Sequence, residues 1–358
     1  MQKAVKLILI IAALTMVFPT VSITAQTANI FSVMPVLPEN QSPESLGSFN
    51  LDVKAGESQN LEILIENHSD DFITLEISII NPGTNRRGVI DYSQSGEMDK
   101  TLKASFSDIA HPSVDPIVTI SAGETERFPI ALEIPENGFD GVLLGAIRVL
   151  LLSSEGKAPQ AEQDKDHTAH VIPVRLFQNR NTVITPRFEL GDISFGLIAE
   201  VAAIEVKIRN PEPRFSVAAT VDAQIFPTGG DTPIFTVTNL EVDFAPHSVY
   251  PLTFLDTAGF GIPAGDYIAN IQVVFEGQSR NFEQSFHITP EDSIAVNSSA
   301  INQLSPPRQP LDNATLSNMI LWVISGAVGI TIILCIVVIA LVKAKAKRRF
   351  YPFRKETT

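Results

Sequence analysis

The chain has one cysteine, Cys335, and one tryptophan, Trp322, in 358 residues. A lone thiol closes no intrachain bridge, so a disulfide framework is excluded. Catalytic patterns are missing too. There is no GxSxG elbow, HExxH helix or phosphate-cradling Gly-rich loop, and no cysteine nucleophile outside the apolar C-terminal run. No Glu/Asp pair can be assigned to glycoside hydrolysis, and no acidic ladder at calcium-loop spacing occurs. The six histidines are scattered. One group, Asp164, Asp166, His167 and His170, has a His spacing that would suit a metal on a helix, but it falls in a polar stretch and reads as solvated loop. These absences point to a protein that is not an enzyme, with no catalytic residues, cofactor or metal.

Positive charge is also scarce. There are 26 Lys and Arg against 40 Asp and Glu, for a net charge of -14. Much of the positive charge sits at the two ends. Lys3 and Lys6 precede "LILIIAALTMVF", and small residues follow at Ala25 and Ala28, the layout of a secretory signal over residues 1–25. From Met319 to Val342 the chain carries no charge. At about 1.5 Å per residue that run can cross a hydrocarbon core roughly 30 Å thick. "KAKAKRRFYPFRK" follows at once, and basic flanks stay inside. The expectation is a single-pass protein of the cell membrane, its ectodomain facing the cell wall and its tail, residues 343–358, cytoplasmic. No LPxTG-like sorting sequence precedes the span. Without its ends the body holds 17 basic against 39 acidic residues, a net of −22. Such a body disfavours nucleic acid and anionic lipid surfaces as partners. An exported body of this size without disulfides fits a Gram-positive surface better than the eukaryotic secretory route. The sequons at Asn67, Asn297 and Asn313 then read as chance.

Between the ends, Val, Ile, Leu, Phe and Thr alternate with polar residues, and Pro, Gly and Asn punctuate them. "LEILIEN", "ITLEISII", "RFPIALEI" and "GVLLGAIRVLLL" read as strands, and no long amphipathic helix is evident. The fold class expected is all-β: two tandem immunoglobulin-like β-sandwiches followed by one transmembrane α-helix. The first sandwich is placed at residues 29–155, a polar linker at 156–170 and the second sandwich at 171–290. A juxtamembrane linker at 291–318 precedes the span at 319–342. A weak repeat supports the pair. "LEILIENHSDDFITLEISI" and "AIEVKIRNPEPRFSVAATVDAQI" both run strand, Asn-headed turn, strand, around Asn67 and Asn210, and each is followed by a small-residue turn, "SAGE" at Ser121 or "APHS" at Ala245.

By this alignment the first unit is about twenty residues longer between Asn81 and Pro116, an excess that holds "TNRRGVIDYS" and "DKTLKASFSDIAHP". Loops grafted on a rigid scaffold are where binding tends to sit. Gly83 and Gly88 permit tight turning, Arg86 and Arg87 offer forked donors for carboxylates, and Tyr92 offers an aromatic face with a polar tip. With Asn85 and Asp91 these form the candidate ligand-binding set. The alternative is a solvated hairpin whose arginines pair with Asp91 or Asp99.

"FSVMPVLPENQ", "TNRRGVIDYS" and "FDGVLLGAIRV" in the first unit resemble the landmarks of WxL-interacting proteins of Gram-positive bacteria. In the second unit the resemblance continues through "TPRFELGDISFG", "IRNPEP", "FAPHSVYPL", "AGDYIANI" and "FHI". It covers nearly the whole chain in order. Departures occur at Gly145-Ala146, where the family has a glycine pair, at His247 in place of an Asn, and at Phe282 in place of a Trp. The resemblance implies an N-terminal peptidoglycan-binding domain and a second, host-binding domain. It further implies a surface adaptor with peptidoglycan, WxL-domain proteins and host extracellular proteins as partners. Two other readings remain: an immunoglobulin-like adhesin for host matrix, and a chaperone-like surface assembly factor.

Overall fold

The period-two pattern of "SQNLEILIEN" puts Leu61, Ile63, Ile65 and Asn67 on one face, and all four are buried. The same logic recurs at Ile73–Ile80, Thr125–Glu133 and Val201–Asn210 of the computed structural model, which describes residues 30–43, 45–154 and 169–304. The first half contains β1 (Phe31–Val36), β2 (Phe49–Asp52), β3 (Ser58–Asn67), β4 (Ile73–Ile80), β5 (Gly83–Thr84), β6 (Ile90–Asp91), helix α1 (Phe106–Ile109), β7 (Ala110–Pro112), β8 (Ile117–Ile120), β9 (Thr125–Glu133) and β10 (Gly141–Ser154). Next come β11 (Ala169–Gln178), β12 (Glu189–Ile198), β13 (Val201–Asn210), β14 (Ser216–Pro227), β15 (Phe235–Phe244), β16 (Ser248–Leu255), β17 (Gly265–Phe275), β18 (Gln278–Ile288) and helix α2 (Pro290–Leu304).

The first sandwich packs the sheet β1-β3-β9-β7 against β2-β11-β10-β4-β8. The second packs β12-β13-β16 against β15-β14-β17-β18. Pairing is antiparallel except between β11 and β2. Both sandwiches belong to one compact unit that runs to Asn297. The strand β11 was expected to begin the second sandwich. Instead it pairs along its length with β10, from Gly141↔Gln178 to Leu150↔Ala169, and so belongs to the first.

The repeat has an atomic basis. Asn67 is buried, and its Nδ2 donates to the carbonyls of Asp71 (2.7 Å), Ile120 (3.1 Å) and Ser121 (3.0 Å). Asn210, equally buried, donates to Arg214 O (2.9 Å) and Ala245 O (2.8 Å). Each amide ties its own turn to the later small-residue turn of its sandwich, satisfying carbonyls that no ladder reaches.

Residues 291–318 were expected to be linker, yet 291–304 belong to α2, which opens at Pro290. Thr289 Oγ1 accepts from the Asp292 amide (3.0 Å), Pro290 opens the first turn, and Glu291 and Asp292 add acidic charge there. Ser293 Oγ and Asn297 Nδ2 donate to Ile262 O at 2.8 and 2.9 Å, fixing the helix start on the second sandwich. The fifteen residues of α2 reach about 22 Å at 1.5 Å per residue, short of a hydrocarbon core of roughly 30 Å. Among the described residues no helix is long and apolar enough to cross a membrane. The single-pass membrane localisation expected from the sequence is therefore corrected, because no described helix supports it. The signal segment 1–25, the run 319–342 and the basic tail 343–358 lie outside the described residues.

Candidate functional site

The excess stretch of the first sandwich does not project into solvent. It folds onto the second. β5 and β6 form a two-stranded ribbon, Gly83↔Asp91 and Thr84↔Ile90, closed by the turn at residues 85–89. Asn85 shapes that turn: its Oδ1 accepts from the Arg87 amide (2.9 Å), and its backbone N–H donates to Val89 O (2.9 Å). Gly88 has φ +75°, and a Cβ there would press within 3.1 Å of Glu241 O on β15. Only glycine combines that conformation with so close an approach. Across the junction the Asp243 amide donates to Gly88 O (2.7 Å). Thr84, almost fully buried, donates from Oγ1 to Asp243 O and accepts from the Ala245 amide, both at 2.9 Å.

A second segment completes the junction. The Val249 amide donates to Glu97 O (3.0 Å) and the Asp99 amide to His247 O (2.7 Å). Residues 97–99 thus lie along the outer edge of β16 as a short extra strand, bridged antiparallel at Met98↔Ser248. They satisfy edge groups that would otherwise face water or a foreign strand.

Charge follows the same line. On β13, Glu205, Lys207 and Arg209 share one face at period two and meet the insertion rung by rung. Arg86 grips Glu205 Oε2 from Nε (3.1 Å) and Nη2 (2.8 Å). Lys207 Nζ meets Glu97 Oε1 at 2.8 Å. Arg209 forks onto Asp99, Nε to Oδ2 at 2.6 Å and Nη2 to Oδ1 at 3.0 Å, while its Nη1 reaches Glu189 at 2.6 Å. The last rung is the dry one, with side-chain exposure of 0% for Asp99 and 13% for Arg209. Burial works against the Asp99 charge, but hydrogen bonds from Arg209 and from the Thr101 amide and hydroxyl outweigh it and hold the carboxyl below its ordinary range. Hydrogen bonding to Asp99 likewise pushes the Arg209 guanidinium up. The outer two rungs are more open, and each is worth correspondingly less.

The candidate residues thus separate. Asn85 is the turn-former. Arg86 belongs to the ladder. Asp91 is turned inward on Ser93 Oγ (2.6 Å), the Ser93 amide (2.9 Å) and Gln94 Nε2 (3.0 Å). Burial opposes its charge and is outweighed by those hydrogen bonds, so its carboxyl also sits below the ordinary value. Tyr92 does not stand open to solvent. Its half-buried ring packs on the small cluster of Val142, Leu144 and Ala245 between the sandwiches, and its hydroxyl accepts from Arg175 Nη2 at 3.5 Å. Arg87 stands apart from the other four. Its side chain is exposed and makes no hydrogen bond or ion pair among the described residues. It lines, with Arg86, Asp91, Glu97 and Glu205, a cleft of about 450 Å³ walled by both sandwiches.

Glu205, Lys207 and Arg209 were not singled out from the sequence, although their alternation in "AIEVKIRN" is visible there. Of the polar group considered for a metal, Asp164, Asp166 and His167 lie outside the described residues, and His170 stands edge-on to Phe31, ring centroids 4.6 Å apart. Among the described residues no three metal-ligating side chains cluster.

Fold and junction together define a tandem immunoglobulin-like protein whose first sandwich grips the second through an insertion. Residues 31–150 match the WxL Interacting Protein peptidoglycan binding domain, and residues 162–298 match the host binding domain of the same proteins. The chain belongs to the WxL-interacting protein family. Those domains make it a surface adaptor or adhesin. The second match begins ahead of β11, so the family boundary and the sheet boundary differ by one strand. No curated protein matches the chain. Solved structures with some likeness include the CsuC-CsuE chaperone–adhesion subunit complex of Acinetobacter baumannii, at 13% identity over 71% of this chain and 97% of that one, TM-score 0.29. Another is the E. coli chaperone DraB, at 15% identity over 71% and 98%, TM-score 0.26.

Proposed function

We propose that this protein is a non-enzymatic adaptor at the Gram-positive cell surface, which holds peptidoglycan through its first sandwich and docks secreted WxL-domain proteins. The observation that carries the wall-binding part is Arg87, a guanidinium without a partner among the described residues, lining the cleft in a strongly acidic body. Peptidoglycan offers the matching chemistry, free carboxylates on its stem peptides, and a planar fork of donors suits a carboxylate better than a point charge does. The ladder supports the adaptor part, because wall contact and partner contact then belong to one body.

The test is cosedimentation of the purified full chain with isolated cell walls. A hydrogen bond to a charged group contributes about 1.5–3 kcal/mol, so Arg87→Ser should lower wall affinity roughly tenfold or more. Wild-type binding should weaken with salt, since the contact is exposed. Wall retention of Arg87→Ser equal to wild type would remove the cleft from the reading. Culture supernatant passed over the immobilised chain should yield WxL-domain proteins, and labelled peptidoglycan incubated with it should release no soluble fragments.

A further inference from the structure

The outer face of the second sandwich presents a different chemistry from the cleft. Registered pairing across β14, β17 and β18 sets Asp222 beside Gln272 and Gln272 beside Asn281. Two residues along, Gln224 lies beside Asn270 and Asn270 beside Glu283. Strands stand about 4.8 Å apart, and alternate residues on one face lie roughly 6.8 Å apart. Six planar polar groups therefore form two rows of three, a spacing on the scale of a sugar ring. They border a shallow groove of about 510 Å³ whose lining contains no lysine, arginine or histidine. One wall is raised by a bulge in the β14–β15 pairing, where Asn239 at φ 53° donates its amide to Asp222 Oδ1 at 2.7 Å.

The fold gains little from three of these six residues. Gln272 Nε2 donates to Asn281 Oδ1 at 2.8 Å, but the side chains of Gln224, Asn270 and Glu283 make no hydrogen bond among the described residues. Asn and Asp are depleted in strands, and a merely solvated face is better served by Thr. A local preference broken without structural return is what a functional surface shows. In the next row of the same face Phe226 lies opposite Ile268, both half-buried, with exposed Ser285 beside Ile268.

We infer that this face of the second sandwich binds a neutral oligosaccharide. An amide donates and accepts from one plane, which matches a pair of neighbouring hydroxyls, each both donor and acceptor. Asp222 and Glu283 accept from hydroxyls and repel carboxylated or sulfated sugars, and the groove lining offers no cation to hold them. Phe226 and Ile268 supply an apolar strip for the C–H faces of a ring, the usual companion of placed polar groups in a ligand site. This site stands on the sandwich opposite the wall-binding reading and does not depend on it.

The experiment applies the purified full chain to immobilised neutral oligosaccharides (N-acetyllactosamine and oligomannose types) beside sialylated and sulfated ones. Binding is expected on neutral members and not on charged ones. The double variant Asn270→Ala/Gln272→Ala should lose that binding at least tenfold with an unchanged melting midpoint and unchanged wall sedimentation. Asn281→Ala, on the edge strand, serves as a milder variant if the double one unfolds. The inference is overturned if no neutral glycan is retained, if sialylated glycans bind equally, if the folded variants keep wild-type signal, or if wall sedimentation falls in step with glycan binding.

Discussion

Replacing Asp99 with Ala is expected to destabilise the protein by about 3–5 kcal/mol, the range for removing one partner of a buried ion pair and stranding the other. Arg209 keeps Glu189 after the change, which places the expectation at the lower end. The loss reaches beyond one pair. Asp99 also accepts from the Thr101 amide (2.9 Å) and hydroxyl (2.7 Å), and that hydroxyl reaches across to Pro211 O (2.8 Å). Without the carboxylate, the segment that edges β16 loses its anchor. In denaturant, the single transition of the wild type should then separate into two, with a new protease-sensitive site near residues 94–101. A variant that unfolds in one transition at the wild-type midpoint would show that the ladder joins nothing.

The pH dependence follows from the same group. Its folded carboxyl lies below the ordinary 3.8, so the folded state binds the proton less readily than the unfolded chain. The stability from Asp99 is therefore fully present above that ordinary value and is lost as pH falls through the lower folded one. The neighbouring His247 is held below its usual range by burial, so it takes up its proton at a lower pH than a free imidazole would. Protonated Asp99 resembles Asn. The stability gap between wild type and Asp99→Asn should accordingly be constant near neutrality and shrink only below pH 3.8.

Local pattern made the two sandwiches legible. Leu61, Ile63 and Ile65 alternate without a break, and Asn67 and Asn210 mark equivalent turns because each amide serves the same two carbonyl positions. What a face packs against is not a local property. Glu205, Lys207 and Arg209 read as a solvated strand face until residues 86, 97 and 99 arrive from more than a hundred positions away. β11 was assigned to the second sandwich for the same reason: an apolar run after a polar stretch says strand, but not whose strand. α2 is the reverse case, since Thr289-Pro290-Glu291 carries a legible helix start in a segment otherwise read as linker. At the candidate site the turn itself was visible, but not which of Arg86 and Arg87 would stay exposed. The inward role of Tyr92 depends on Val142, Leu144 and Ala245, which no local window contains.

The second large effect is expected in the core of the first sandwich, where the later half of the insertion returns as α1. Phe106 is fully buried there, and a Cβ built on Gly145 of β10 would overlap its ring. Of the Gly145-Ala146 pair, the glycine retained is the one beneath the ring, and Ala146 faces other space. Phe106→Ala should cost about 3–5 kcal/mol by emptying that volume. Gly145→Ala should cost about 1–3 kcal/mol by overfilling it, although alanine ordinarily exceeds glycine inside a regular element by roughly 0.5–1 kcal/mol. The two changes should not add. With Phe106 removed, the methyl group at residue 145 enters vacated space, so Gly145→Ala in the Phe106→Ala background should be neutral or stabilising. Denaturant unfolding of the four proteins measures this coupling directly. Additive losses would mean that the ring does not rest on Gly145, and that the insertion closes the sandwich by some other contact.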